Sequence, residues 1–172
     1  KTGDGLFLLQ TSIGTLITPS LIIATGGLSY SRLGATGFGY DVARQFQLPI
    51  IKQQPALTPL LWNPTDARTF SGLSGLSAIA KVKLGSLEFE DGILFTHKGL
   101  SGPSILQISS YWKPGESIVI NWLPKKNLRE VLATRKQLGD KHLLRNALAD
   151  FFPERLTEVF AGTAGEKPIN EI

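Results

Sequence analysis

Leu21-Ile22-Ile23-Ala24-Thr25-Gly26-Gly27 is the densest chemical signal in the sequence. A continuous apolar run suits a strand buried on both faces, as in a parallel sheet. Ligands of open α/β sheets bind outside the carboxyl ends of such strands. Glycine there lets main chain approach a ligand closely, because no Cβ intervenes. The plainer reading is a Gly-rich turn after a core strand. A second stretch, Leu33-Gly34-Ala35-Thr36-Gly37-Phe38-Gly39, runs into an expected helix. Helix N-termini favour anions through free N–H groups and the helix dipole, so this approach suits a phosphate. It is not the G-x-G-x-x-G fingerprint in its usual place, since no acidic residue follows roughly 20 positions on, after a second strand. The third stretch is Phe95-Thr96-His97-Lys98-Gly99-Leu100-Ser101-Gly102-Pro103. His97 ends an expected strand and is a candidate acid/base group or substrate contact. Equally, it is a loop histidine that holds the turn through a backbone hydrogen bond.

Other chemistries are excluded or unsupported. There is no cysteine, so thiolate ligands, disulfides and cysteine nucleophiles are absent. With two well-separated histidines, His97 and His142, no metal site is expected. Gly72-Leu73-Ser74-Gly75 and Gly99-Leu100-Ser101-Gly102 do not fit G-x-S-x-G, because the second Gly follows the Ser directly. Trp62, Trp112 and Trp122 are expected in a core or interface rather than as a stacking platform.

The elements that must position these residues fall into three parts. Residues 5–25 read as two or three short strands, with Ser12-Ile13-Gly14-Thr15 as a hairpin turn and Leu21–Ala24 as the buried strand. Tyr40–Phe46 reads as a short helix with Val42, Ala43 and Phe46 on one face, ended by Pro49. This part is too small to hold a core by itself. Beyond it, Leu57–Trp62, Ala78–Leu84, Leu87–Phe89, Ile93–Thr96 and Ser117–Trp122 are short strand candidates. Gly72, Gly75, Gly85-Ser86, Asp91-Gly92 and Pro114-Gly115 punctuate them, as in a small barrel or sandwich. A short helix is expected over 103–110, with Pro103 in its first turn and Ser101 or Gly102 as N-cap. From Pro124 the pattern is helical. Leu128, Val131, Leu132 and Leu138 form one stripe. Leu143, Leu144, Ala147, Leu148, Phe151 and Phe152 form a stronger one, and Leu156, Val159 and Phe160 line a third. Pro153 breaks the second helix or starts the next.

The chain has 172 residues, 42% of them hydrophobic and 19% charged, which is a globular composition. No apolar run approaches the roughly 20 residues of a membrane-spanning helix, so no membrane association is expected. The net charge is +4, partly concentrated in residues 125–145. A nucleic-acid binder usually shows a denser basic patch interleaved with aromatics, so nucleic acid is not expected as a partner. The chain opens at Lys1 and contains no methionine. It therefore reads as an internal piece of a longer, cytoplasmic polypeptide.

Taken together, Leu21–Tyr30, Leu33–Tyr40 and Leu94–Pro103 resemble the BaiN/YhiN-type bacterial flavoproteins, FAD-dependent oxidoreductases with a glutathione-reductase-like FAD fold. Ser31 stands where that family usually has Pro. The resemblance implies an α+β chain. Residues 1–55 would be a piece of a discontinuous FAD-binding α/β domain, the end of its first segment. Residues 56–124 would be an inserted small β-barrel subdomain, and 125–172 the start of an all-helical subdomain. Ala24, Thr25, Gly26 and Gly27 match the stretch that lies against the dinucleotide. Gly34, Thr36 and Gly37 match a loop near the flavin, and His97 matches the barrel's part of the site. The cofactor would be FAD in the full-length parent, not bound by this piece alone, with NAD(P)H as a candidate electron donor. Its partners would be the remaining FAD-domain segments of the parent and a small organic substrate, and the piece alone could self-associate. The expected function is flavin-mediated hydride or electron transfer in the parent. The alternative is a non-catalytic module that docks on an FAD domain.

Overall fold

A computed structural model describes residues 1–172. The chain divides into two compact units, Lys1–Gln53 and Gln54–Ile172.

In the first unit β1 (Phe7–Thr11) and β2 (Gly14–Thr18) form an antiparallel hairpin in which Thr11 pairs with Gly14. The loop is thus Ser12-Ile13, and Gly14 closes it at φ 120°, where a side chain would be strained. A 3₁₀ turn covers Leu28–Leu33, and α1 covers Phe38–Gln45. The rings of Phe7 and Phe46 meet at 5.8 Å between centroids, which ties the hairpin to the end of α1. No residue of 1–53 is buried, as its size dictates.

The strand expected over Leu21–Ala24 is not formed. Those residues are extended but pair with nothing, and Ile22 is 88% exposed. A parallel strand exists only through neighbours on its flanks, and the hairpin, the sole sheet of this unit, does not provide one. The segment instead leans on α1, where Ile23 and Thr25 lie beside Gly39.

The second unit contains β3 (Leu60–Leu61), α2 (Pro64–Phe70), β4 (Ser77–Leu84), β5 (Leu87–Phe95), β6 (Gly99–Ser101), α3 (Pro103–Ser109), β7 (Val119–Asn121), α4 (Leu128–Gln137), α5 (Leu144–Ala149) and α6 (Glu154–Ala161). Its sheet is antiparallel in the order β3-β6-β5-β4-β7, with β3 and β7 as edges. Ala80 and Val82 of β4, and Ile93 and Phe95 of β5, turn into one core with Ile105 and Ile108 of α3. Leu148, Phe152 and Leu156 from the helical end complete the same core. The Arg155 guanidinium of α6 donates to the carbonyls of Gly72 and Ser74, pinning that helix to the loop before β4.

Several boundaries differ from expectation for definable reasons. Leu87–Phe89 and Ile93–Thr96 are one strand, and Asp91-Gly92 is strand interior rather than a turn. The hairpin turns at Gly85-Ser86, with Leu84 opposite Leu87. The main chain of Gly92 is what Gly102 packs against, since a Cβ on Gly102 would lie 2.5 Å from the Gly92 carbonyl oxygen. The start of α3 lies on it, and the Ser104 hydroxyl donates to the carbonyl oxygens of Asp91 and Gly92. Leu138 falls beyond α4 and is exposed. Helix α2 was not expected among the prolines. Asn63 caps it, its Oδ1 accepting from the N–H groups of Thr65 (2.9 Å) and Asp66 (2.8 Å), and Pro64 occupies the first turn. Asn63→Ala is expected to cost about 1 kcal/mol in urea denaturation, the usual worth of such a cap. An unchanged midpoint would show that packing alone holds α2. No helix is long and apolar enough to cross a membrane.

Candidate functional site

The first two Gly-rich stretches come together in the first unit. Thr25 lies beside Gly39, and Leu28 lies beside Gly37. Gly26 (φ 75°) and Gly34 (φ 84°) both sit in the left-handed region that a side chain rarely adopts. The N–H of Gly34 donates to the Ser31 carbonyl and so closes the 3₁₀ turn. Thr36 Oγ1 accepts from the Phe38 N–H at the start of α1, at 3.4 Å. A Cβ built on Gly26, Gly27 or Gly34 would meet nothing within 4 Å. These glycines are therefore not reserved for packing within the chain. Of the expected nucleotide-contacting residues, Gly26, Gly27 and Gly34 thus have open space beside them, whereas Gly37 has Leu28 as a neighbour at 4.0 Å.

His97 belongs to the second unit. It is exposed in the three-residue loop Thr96-His97-Lys98 joining β5 to β6. Thr96 holds this turn, not His97: its Oγ1 donates to the Gly99 carbonyl (2.9 Å) and accepts from the N–H groups of Lys98 and Gly99. The imidazole is thus left for an external contact. His142 is committed elsewhere, with Nδ1 2.6 Å from Asp140 Oδ1. The His142 backbone N–H, followed by its ring, holds the Asp140 carboxyl below the ordinary carboxylate range. No group of His, Asp and Glu side chains is arranged to hold a metal.

Two concavities mark the second unit. A cleft of about 600 Å³ lies between the two edges of the sheet, with Leu60 and Trp62 on the β3 side and Ile118, Ile120 and Trp122 on the β7 side. The sheet therefore curls until its edges face one another across an apolar gap. The second, a broad groove of about 840 Å³, follows the β7–α4 connection. Leu128, Leu144, Leu148, Phe152 and Phe160 lie in its floor, and Lys125, Lys126 and Arg129 line it. Sequence reasoning had noted the basic stretch but not this groove. Lys125-Lys126 directly before the cap Asn127, with Arg129 in the first turn of α4, is the local signal for it.

A half-closed sheet followed by a helical end is the arrangement that comparison with known families then finds. Residues 54–171 match the family described as HI0933-like protein barrel and H2TH domain. The chain belongs to the HI0933-like family. The match begins at the boundary between the two compact units and takes in the whole second unit except Ile172. Among curated proteins, the chain is 41% identical over 155 residues to a ribosomal RNA dihydrouridine synthase of Haemophilus influenzae, covering 90% of this chain and 38% of the relative. It is 39% identical over 160 residues to a protein of the same name from Escherichia coli, covering 92% of this chain and 39% of that relative. The chain thus spans about two fifths of the length of the curated relatives it matches. Both alignments are longer than the HI0933-like unit, so they extend into the Gly-rich first unit as well.

Proposed function

We propose that this HI0933-like chain is part of a flavin-dependent enzyme that reduces a uridine of ribosomal RNA to dihydrouridine. The observation that carries the reading is the similarity to two ribosomal RNA dihydrouridine synthases, each about two fifths identical across at least nine tenths of this chain. It moves the substrate from the small organic molecule first expected to a base within RNA. Reduction saturates the C5–C6 double bond of uracil, one carbon taking a hydride and the other a proton. Reduced FAD would supply the hydride and be oxidised, and NAD(P)H is the class of reductant that would reduce it again.

This chain's own contribution is positioning. The main chain at Ala24–Gly27 and at Gly34–Gly37 lies against the dinucleotide, with Gly26, Gly27 and Gly34 giving the closest approach because they carry no Cβ. The exposed apolar run Leu21–Ala24 becomes a strand once other FAD-domain segments of the parent flank it. His97 stands on a turn that Thr96 already fixes, so its ring nitrogens remain available to a uracil carbonyl. The test is to incubate full-length protein anaerobically with NADPH and unmodified ribosomal RNA, then digest the RNA and weigh its nucleosides. A uridine heavier by two hydrogens is the expected result. A flavin that is reduced by NADPH yet leaves every uridine unchanged would overturn the RNA substrate. A full-length protein without flavin would overturn the cofactor.

A further inference from the structure

The groove along the β7–α4 connection is unlike the rest of the molecular surface in charge. Residues 125–145 contain seven Lys or Arg and two Asp or Glu, while the whole chain carries only +4. The remainder of the chain is therefore slightly negative, and the positive excess is confined to this stretch. Two of the seven cations are neutralised locally, Arg135 by Asp150 at 2.6 Å and Arg145 by Glu166 at 2.5 Å. Lys125, Lys126 and Arg129, the three that line the groove, take part in no ion pair. No carboxylate lines the groove beside them. The nearest along the sequence, Glu130, is tied to the Asn127 side chain at 2.8 Å. Lys126 is held in place by the Phe151 ring, with Nζ 5.0 Å from its centroid.

We propose that this groove grips the phosphodiester backbone of the RNA substrate, through Lys125, Lys126 and Arg129. The inference rests on the reading of the full-length protein as a ribosomal RNA enzyme, and it adds where the RNA is held. Three exposed cations above an apolar floor concentrate positive potential along a channel, and a polyanion is the occupant whose charge complements it. The groove offers backbone contact rather than base stacking. Trp122, the one tryptophan in its lining, is covered by Phe95 (5.3 Å, stacked) and by Phe160 (5.9 Å). Contacts of this kind position the nucleic acid without reading its sequence.

The experiment measures binding of full-length protein to protein-free ribosomal RNA across a range of salt concentrations. Each phosphate contact contributes about 0.7–0.9 to the slope of log K against log salt, so the triple variant K125Q/K126Q/R129Q should lower the slope by roughly 2 to 3. Flavin absorbance should be unchanged in that variant. The charge-conserving variant K125R/K126R/R129K should keep the wild-type slope. If the triple variant loses its flavin or fails to fold, K125Q and R129Q are measured singly, each expected to lower the slope by about one. Wild-type protein that makes dihydrouridine while the charge-removing variants keep the full slope overturns the groove alone. Equal losses in the charge-conserving and charge-removing variants also overturn it, because charge would not be the cause. Wild-type protein that neither binds ribosomal RNA nor modifies it overturns the functional reading beneath the proposal.

Discussion

Gly99→Ala is expected to destabilise the second unit by about 3 kcal/mol or more, through overpacking against main chain that cannot move aside. Gly99 opens β6 and pairs with Leu61 of β3. A Cβ at this position would stand 1.9 Å from the Leu60 carbonyl oxygen and 2.8 Å from Leu61 Cα. Neither atom is the end of a flexible side chain, so relief requires β3 to leave β6. Leu60 and Trp62 would move with it, and the wall of the cleft they form would be lost. Urea denaturation reads the effect directly. The comparison is Gly92→Ala, where the nearest neighbour of the new Cβ is Pro103 Cδ at 3.7 Å, an ordinary contact. A Gly99→Ala midpoint within 1 kcal/mol of wild type would show that β3 and β6 do not approach as described.

The second large effect is expected at Gly102, where crowding and backbone strain act together. Gly102 has φ 96° and ψ 163°, a region essentially restricted to glycine, and it caps the N-terminus of α3. Its hypothetical Cβ would lie 2.5 Å from the Gly92 carbonyl oxygen and 2.9 Å from the Leu94 nitrogen, both in the middle of β5. Gly102→Ala should therefore cost about 3 kcal/mol or more and lower the thermal midpoint by several degrees. Gly85→Ala separates the two causes. Gly85 has φ 57° but no neighbour within 4 Å, so only strain of about 1 kcal/mol applies there. Equal losses at Gly85 and Gly102 would mean that α3 does not press on β5. These two glycines also explain the motif Gly99-Leu100-Ser101-Gly102-Pro103. It spaces two close main-chain approaches on either side of β6, and the exposed His97 rides on the turn they hold.

Much of the second unit was legible because its signals are local. Of the stripe Leu143, Leu144, Ala147, Leu148, Phe151 and Phe152, the positions Leu144, Ala147 and Leu148 lie on α5, which ends before Phe151 and Phe152, while Leu156, Val159 and Phe160 all lie on α6. Gly85-Ser86 marked the β4–β5 turn for the same reason. What could not be read depends on distant chain. The order β3-β6-β5-β4-β7 brings together strands far apart in sequence, and no short window carries that pairing. Asp91-Gly92 has the composition of a turn, and only its pairing with Ile79 and Ala80 of β4 makes it strand interior. Leu21–Ala24 has the composition of a buried strand, yet burial needs neighbours that this chain does not supply. Within the candidate site, the left-handed backbone at Gly26 and Gly34 is what glycine in such stretches allows. The role of Thr96, and the freedom it leaves to His97, required coordinates. Helix α2 was legible in principle: Asn63-Pro64-Thr65-Asp66 is a cap followed by a first turn.

The two outer strands β3 and β7 each pair on one flank only, leaving the amide donors and carbonyl acceptors of the other flank unpaired in the sheet. An arrangement of this sort is indifferent to the origin of the extended peptide that meets it. Within a complete polypeptide that visitor is tethered and arrives first. An edge of this kind that meets no tethered strand is a template for a free one, a second copy included.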